Sequence, residues 1–283
     1  MKYIHDEKGK IIIFTKKNAK YIKDSNYTYK ILIAIILLIM LIFILFLTIK
    51  HKYNISDMII NSSFSQCFED LILNVFFFDV DNGFYIDVGA FDPNILSVTK
   101  YFYLKGWSGI NIEPLRKEYE NLLKERVRDI NINVAVGEKE GNISLYEWGA
   151  FSTTKKDFSI PASNKSNISL QTMANICKKN IPKNKEIHFC KIDVEGNERE
   201  VLLGFDFENY RPQIFCIESV VPGTEIQNYK VFEDILIKNN YEIVFAYRIN
   251  RYYVDKNLEY LKERSKYIEE IISIYNKTKN KKS

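Results

Sequence analysis

Five short apolar runs, at residues 84–88, 109–112, 132–136, 187–194 and 213–218, alternate with polar stretches of helical period. Runs this uniformly apolar have no face suited to water, so both of their faces must be covered. Such strands alternating with helices predict an α/β fold around a mostly parallel sheet. Most of the runs also carry an acid or an amide near their carboxyl end: Asp87, Glu113, Asn133, Asp193 and Glu218. A buried carboxylate is costly unless something pairs with it, and in open α/β sheets that edge is where ligands bind.

The first turn narrows the ligand. A dinucleotide site would show Gly-x-Gly-x-x-Gly, so that backbone can approach a pyrophosphate at a helix N-terminus. Here the turn reads Asp87-Val-Gly-Ala-Phe-Asp-Pro93, with one glycine. S-adenosylmethionine has no phosphate; it needs close backbone approach at its amino-acid end and carboxylates for its ammonium and ribose hydroxyls. Gly89 and Asp87 suit the first need. Glu113 suits the ribose, since a carboxylate can accept from two neighbouring hydroxyls. Asp92 or Asn94 is expected to cap a helix starting near Pro93 and closing at Gly106. Caps and a structural turn without any ligand form the competing explanation.

Several spaced motifs then occur in a recognisable order: Ser65-Gln66 with Glu69-Asp70, Phe84-Tyr-Ile-Asp-Val-Gly-Ala90, Gly106-Trp-Ser-Gly-Ile-Asn-Ile-Glu-Pro114, Asn133-Val-Ala-Val-Gly137 and Lys191-Ile-Asp-Val-Glu-Gly-Asn-Glu198. From about residue 64 to 219 the chain resembles the FkbM family of methyltransferases. The resemblance implies a Rossmann-like class I methyltransferase: a mostly parallel seven-stranded sheet with helices on both faces and a final antiparallel strand. It also implies S-adenosylmethionine as cofactor, with transfer typically to a hydroxyl oxygen. By matching motifs it carries Asp87, Gly89, Ala90, Glu113 and Pro114 to the cofactor site and puts Asn133 and Ala135 near the adenine. Gln66 and Asp70 match a motif of undetermined role, for which a helix cap competes. The segment at 166–174 is a weaker match, with Met173 where the family more usually has Leu. Residues 241–246 and 252–254 look like the closing hairpin.

Methyl transfer asks the protein to align an acceptor oxygen and remove its proton. Alternate residues of a strand share a face, so Lys191, Asp193 and Glu195 can point together before Gly196. Asp193 or Glu195 is the expected base, with Lys191 and His188 as weaker candidates. Two adjacent carboxylates could also hold a divalent cation, but His5, His51 and His188 are too dispersed for a ligand cluster and no metal ligand is assigned. A structural role for Glu195 and Glu198 in starting the next helix competes.

Residues 31–49 are apolar apart from one Thr and, as a helix, approach the ~30 Å of a bilayer core. They predict a single-pass transmembrane anchor, too long and too far from the N-terminus for a signal peptide. Lys16, Lys17, Lys20, Lys23 and Lys30 precede it and only Lys50 and Lys52 closely follow it, favouring a cytosolic N-terminus. A cytosol-made cofactor argues the reverse, so the side of the domain stays open. The domains expected are a basic segment at 1–30, the anchor at 31–49, a linker at 50–62, the methyltransferase domain at 63–254, and a helix with a Lys-rich tail at 255–283. The net charge of +4 lies in the tails: eight Lys against three acids precede Ile31, so the domain is mildly acidic and nucleic acid is not an expected partner. The acceptor expected is a small molecule, a glycan or a lipid-linked compound. Cys67, Cys177, Cys190 and Cys216 show no Cys-x-x-Cys spacing and read as buried free thiols. Two other functions stay open: a membrane-anchored glycosyltransferase using Asp79-Val-Asp81, and a scaffold that binds the cofactor without turnover.

Overall fold

A computed structural model describes residues 2–5, 11–14, 37–38, 40–41, 63–155, 164–182 and 184–279. The chain divides into two compact units, 1–58 and 59–283. In the first, β1 (Lys2–His5) pairs antiparallel with β2 (Ile11–Phe14). Of the apolar run at 31–49, only Leu37, Leu38, Met40 and Leu41 are described, as exposed helical residues. The anchor and the linker at 50–62 otherwise lie outside the described residues. Among those described, no helix is long and apolar enough to cross a membrane.

The second unit runs α1 (Glu69–Phe77), β3 (Phe84–Val88), α2 (Val98–Leu104), β4 (Ser108–Ile112), α3 (Arg116–Glu125), β5 (Ile130–Ile132), β6 (Ala135–Val136), β7 (Gly141–Glu147), β8 (Asn164–Gln171), α4 (Met173–Asn180), β9 (Ile187–Ile192), α5 (Glu198–Leu203), β10 (Pro212–Glu218), α6 (Glu233–Lys238), β11 (Tyr241–Tyr247), β12 (Asn250–Asp255), α7 (Glu259–Ser265) and α8 (Ile268–Lys279). Seven strands form one sheet in the order β11-β12-β10-β9-β3-β4-β5, in which only β12 runs against the rest. The mostly parallel α/β sheet read from the apolar runs is therefore present. The chain builds from β3 outward through β4 and β5, then returns to lay β9 on the other side of β3. The switch in direction falls between β3 and β9, and a crevice opens there beyond the strands' carboxyl ends.

Alternation along each strand divides the core between two faces. Ile86, Val88, Phe215 and Ile217 point to a largely aliphatic layer with α4, α5 and α6. Tyr85, Phe189, Ile214 and Cys216 point to an aromatic layer with α1, α2, α7 and α8, where Tyr85 and Phe102 each pack on Phe189 at ring distances of 5.7 and 4.8 Å. Leu261 of α7 and Ile268 of α8 are fully buried in this layer. The helix read at 258–275 is thus two helices. All four cysteines are buried and free, as expected.

Two boundaries and one cap differ from the sequence reading. The run at 132–136 is split: β5 ends at Ile132 on the sheet edge, and β6 joins β8 and β7 in a separate three-stranded sheet. Asn133 makes the break, its Nδ2 donating to the carbonyls of Glu113 and Pro114 at 2.8 Å each. The second helix begins at Val98 rather than near Pro93, because Asp92 caps a local turn, accepting from the N–H groups of Asn94 and Ile95. The helix cap that competed at Gln66 and Asp70 does not form, since the first helix begins at Glu69 without a side-chain cap, and Asp70 accepts from Ser63 Oγ, Ser65 Oγ and the Phe64 N–H, which holds that segment as a loop.

One buried guanidinium braces the loop that leads into the crevice. Arg126, fully buried, donates to the Pro93 carbonyl and to Ser97 Oγ (2.7 Å), with Nη1 3.7 Å from Asp129. Asp129 in turn accepts from Tyr85 OH, the Gly109 N–H and Asn111. Gly109 is required here, since a Cβ would lie 2.4 Å from the Tyr85 carbonyl oxygen. Replacing one member of a buried pair strands the other, so Arg126→Met is expected to cost about 3 kcal/mol in urea unfolding. A loss within experimental error of zero would show that the network is not a brace.

Candidate functional site

Register brings the ends of three strands together. Val88 pairs with Ile192, and Ile217 pairs with the same Ile192, so the residues following β3, β9 and β10 meet at one edge. Lys191, penultimate in β9, reaches across this edge. Its Nζ donates to the Gly89 carbonyl at 2.7 Å and lies 3.5 Å from both Asp87 Oδ1 and Asp193 Oδ2. Burial by itself would lower the Lys191 pKa, but Asp193 and Asp87 outweigh it and hold the ammonium well above its ordinary range. Lys191, a weaker candidate for the base, is thus held as a cation between two carboxylates. Asp87, 1% exposed, accepts from Thr99 of α2 through Oδ2, while its buried Oδ1 accepts no hydrogen bond.

Gly89 has φ +78°, and a Cβ there would lie 1.9 Å from the Asp193 carbonyl oxygen. The close approach that requires glycine is thus to the protein's own backbone at the end of β9, a different reason from the ligand approach expected. The turn is tied on its other side by the Gly89 and Ala90 N–H groups, both donating to the Ile112 carbonyl.

Glu113 follows β4 and is buried. Its Oε2 accepts from the Phe91 N–H at 2.7 Å and its Oε1 from the Leu115 N–H at 2.8 Å. Burial pushes its pKa up to about 7 against the pull of those two donors. Gly89, Ala90, Glu113, Pro114 and Ala135 all line one cavity at the switch point, with Val134 and Val136 adding apolar wall. Asp87 and Asn133 stand behind the lining, Asp87 pairing with Lys191 and Asn133 tying the loop after β4.

Asp193 and Glu195 line the same cavity, joined by Gln66 from the segment before α1. Glu198 does not join them: its Oε1 accepts from the Val194 and Gly196 N–H groups and closes the turn into α5. Sequence reading placed Glu218 at a strand end but not in the site. The structure brings it to Asp193 and Glu195, with one oxygen of each of the three carboxyls within 4.8 Å of the others. The parallel pairing of β9 and β10 was the signal that could have found it. Burial and the neighbouring acids push the carboxyls of both Glu195 and Glu218 well above the usual carboxylate range.

The segment after β7 was also missed. Residues 149–154 line the cavity; Thr153 Oγ1 donates to the Glu195 carbonyl at 2.9 Å and Lys155 Nζ to that of Gly196. Beside them Trp148 and Phe151 present two exposed rings 5.5 Å apart. No periodic pattern marks this stretch.

Two other candidates fall away. His188 sits at the amino end of β9, remote from this edge, with Nδ1 accepting from the Phe84 N–H and its ring against Phe77 and Trp107. Asp79, in the turn before β3 at the opposite edge, takes two N–H groups of Arg264 at 2.8 and 2.6 Å, so its carboxylate is already engaged.

Comparison with known proteins adds one match. The family model of the methyltransferase FkbM domain covers residues 87–262, more than half of the chain and all of the sheet from the end of β3 to β12. Comparisons with curated proteins and with solved structures found no match. The match begins at Asp87 and takes in the whole carboxyl edge described above: the chain belongs to the FkbM methyltransferase family.

Proposed function

We propose that this methyltransferase uses S-adenosylmethionine to methylate a hydroxyl oxygen of a small molecule, glycan or lipid-linked acceptor, and that residues 31–49 hold it at a membrane. The observation that carries this reading is the lining of the cavity at the switch point: one apolar wall, one carboxylate with acceptor capacity left, and an acid held by a fixed cation. The residues present fit the cofactor. Glu113 uses one lone pair per oxygen on backbone N–H groups and keeps the others for two ribose hydroxyls. Val134, Ala135 and Val136 suit a flat base, and the single glycine turn at Gly89 and Ala90 leaves backbone on the cavity wall for the amino-acid end.

S-adenosylmethionine supplies a methyl group already activated by a sulfonium. What remains for the protein is to orient an acceptor hydroxyl and receive its proton. Asp193 fits that role best: its side chain is 29% exposed to the cavity and is positioned by Lys191. Glu195 is the lesser candidate, because burial and the neighbouring Asp193 raise its pKa and favour the protonated form. Trp148 and Phe151 offer a platform on which a ring-shaped acceptor could stack.

Calorimetry with the full chain in detergent tests the cofactor site. Saturable binding of S-adenosylmethionine is expected, and none would sink this reading. Because the folded pKa of Glu113 is raised to about 7, its acceptor form grows as pH rises through that value. Wild-type affinity should therefore strengthen between about pH 6 and 8. Glu113→Gln should bind at least tenfold more weakly with that dependence gone; a variant keeping the wild-type profile would remove Glu113 from the site. For chemistry, Asp193→Asn should lower the rate of methyl transfer into membrane glycans and lipids by about 10²–10⁴-fold while leaving cofactor affinity within about threefold. An unchanged rate would pass the role of base elsewhere. For anchoring, the full chain should stay with membranes through a carbonate wash, and its release would overturn that part of the proposal.

A further inference from the structure

The three carboxyls at the cavity wall are more than a proton acceptor requires. Each offers one oxygen to a common point, the three lying within 4.8 Å of one another. Glu218 is 7% exposed, and its Oε2 is buried without a hydrogen-bond donor; Oε2 of Glu195 is in the same condition. Lys191, the basic group in ionic contact with the cluster, already divides its charge between Asp193 and Asp87. Three clustered carboxyls, two of them buried, that share one cation are satisfied by protons or by a further cation.

We propose that Asp193, Glu195 and Glu218 form a divalent-cation site on the wall of the cavity. Carboxylate oxygens are hard donors, suited to Ca²⁺, Mg²⁺ or Mn²⁺ rather than to zinc or copper. Oxygens on opposite sides of Ca²⁺ stand about 4.6–5.2 Å apart, and those around Mg²⁺ about 4.0–4.2 Å, twice the usual bond lengths. A spread of up to 4.8 Å lies within the limit for Ca²⁺ and beyond that for Mg²⁺, so Ca²⁺ asks for less inward movement of the side chains. Three protein oxygens leave several positions of a six- to eight-coordinate ion for other ligands. Asp193 and Glu195 face the cavity, so those positions open onto the space where an acceptor would lie. An acceptor with two neighbouring hydroxyls can chelate such an ion, which would orient it beside the cofactor site. That last role rests on the methyl-transfer reading; the binding of the ion does not.

The test is titration of the full chain in detergent, stripped with chelator, with Ca²⁺ and separately with Mn²⁺, using calorimetry and thermal melting. Saturable binding of one ion per chain is expected, with a rise in Tm. Glu218→Gln, nearly isosteric, should fold with a Tm close to that of the stripped wild type, because burial and the neighbouring acids keep Glu218 protonated when no ion is bound. It should bind the ion at least tenfold more weakly and gain no Tm from it; Glu195→Gln should follow. Saturable binding of neither ion, or binding unchanged in both variants, overturns the proposal. Cofactor titration in chelator keeps the two readings apart. Loss of S-adenosylmethionine binding with ion binding intact strikes the methyl-transfer reading alone.

Discussion

The ammonium of Lys191 is where the carboxyl edge of the sheet is held together. It bonds the carbonyl after β3, sits between the carboxylates of Asp87 and Asp193, and so joins the two strands that separate at the switch point. A switch point is a gap by construction, because helices leave the neighbouring strands in opposite directions. Something must hold the two lips in register without filling the gap. A buried ammonium between two carboxyl groups does so along the rim, at the cost of desolvating the ammonium and Asp87. Gly89 makes the same junction from the backbone side, since only a residue without Cβ lets the turn pass the Asp193 carbonyl.

The two faces of the sheet contribute differently to this edge. The aromatic layer is rigid and continuous from Tyr85 and Phe189 through α1 and α2 to α7 and α8, and the Arg126 network extends that rigidity into the loop before α2. On the other side the smaller sheet of β6, β7 and β8 carries the segment at 148–155 to the cavity, where Thr153 and Lys155 hold the carbonyls around Glu195. The wall of the cavity formed by Gly89, Ala90, Glu113 and Pro114 is thus built on core elements, and the wall formed by residues 149–154 on an appended sheet.

Much of this was legible in the chain. Uniform apolar runs could only be strands covered on both faces, and Asp87, Glu113 and Asp193 were expected at one edge because each ends such a run. Thr172 caps α4 by accepting from the Asn175 N–H, the local chemistry by which a short polar side chain starts a helix. What failed was local. Asp92 could equally cap a helix or a turn, and the Arg126 contact to Pro93, 33 residues away, chose the turn. Asn133 interrupted an apolar run whose composition alone gave no sign of a break.

The chemistry of the acids divides along the same line. Sequence alone determined that carboxylates would end buried strands, since that follows from residue order and the period of a strand. Only the tertiary structure decided which of them meet. It held Lys191 as a cation by setting two carboxylates 3.5 Å from it. It withdrew Glu198 into a turn and brought Glu218 to Asp193 from 25 residues away through the pairing of β9 with β10. Strand order is a property of how helices pack on a sheet, and the local pattern of a chain does not carry it.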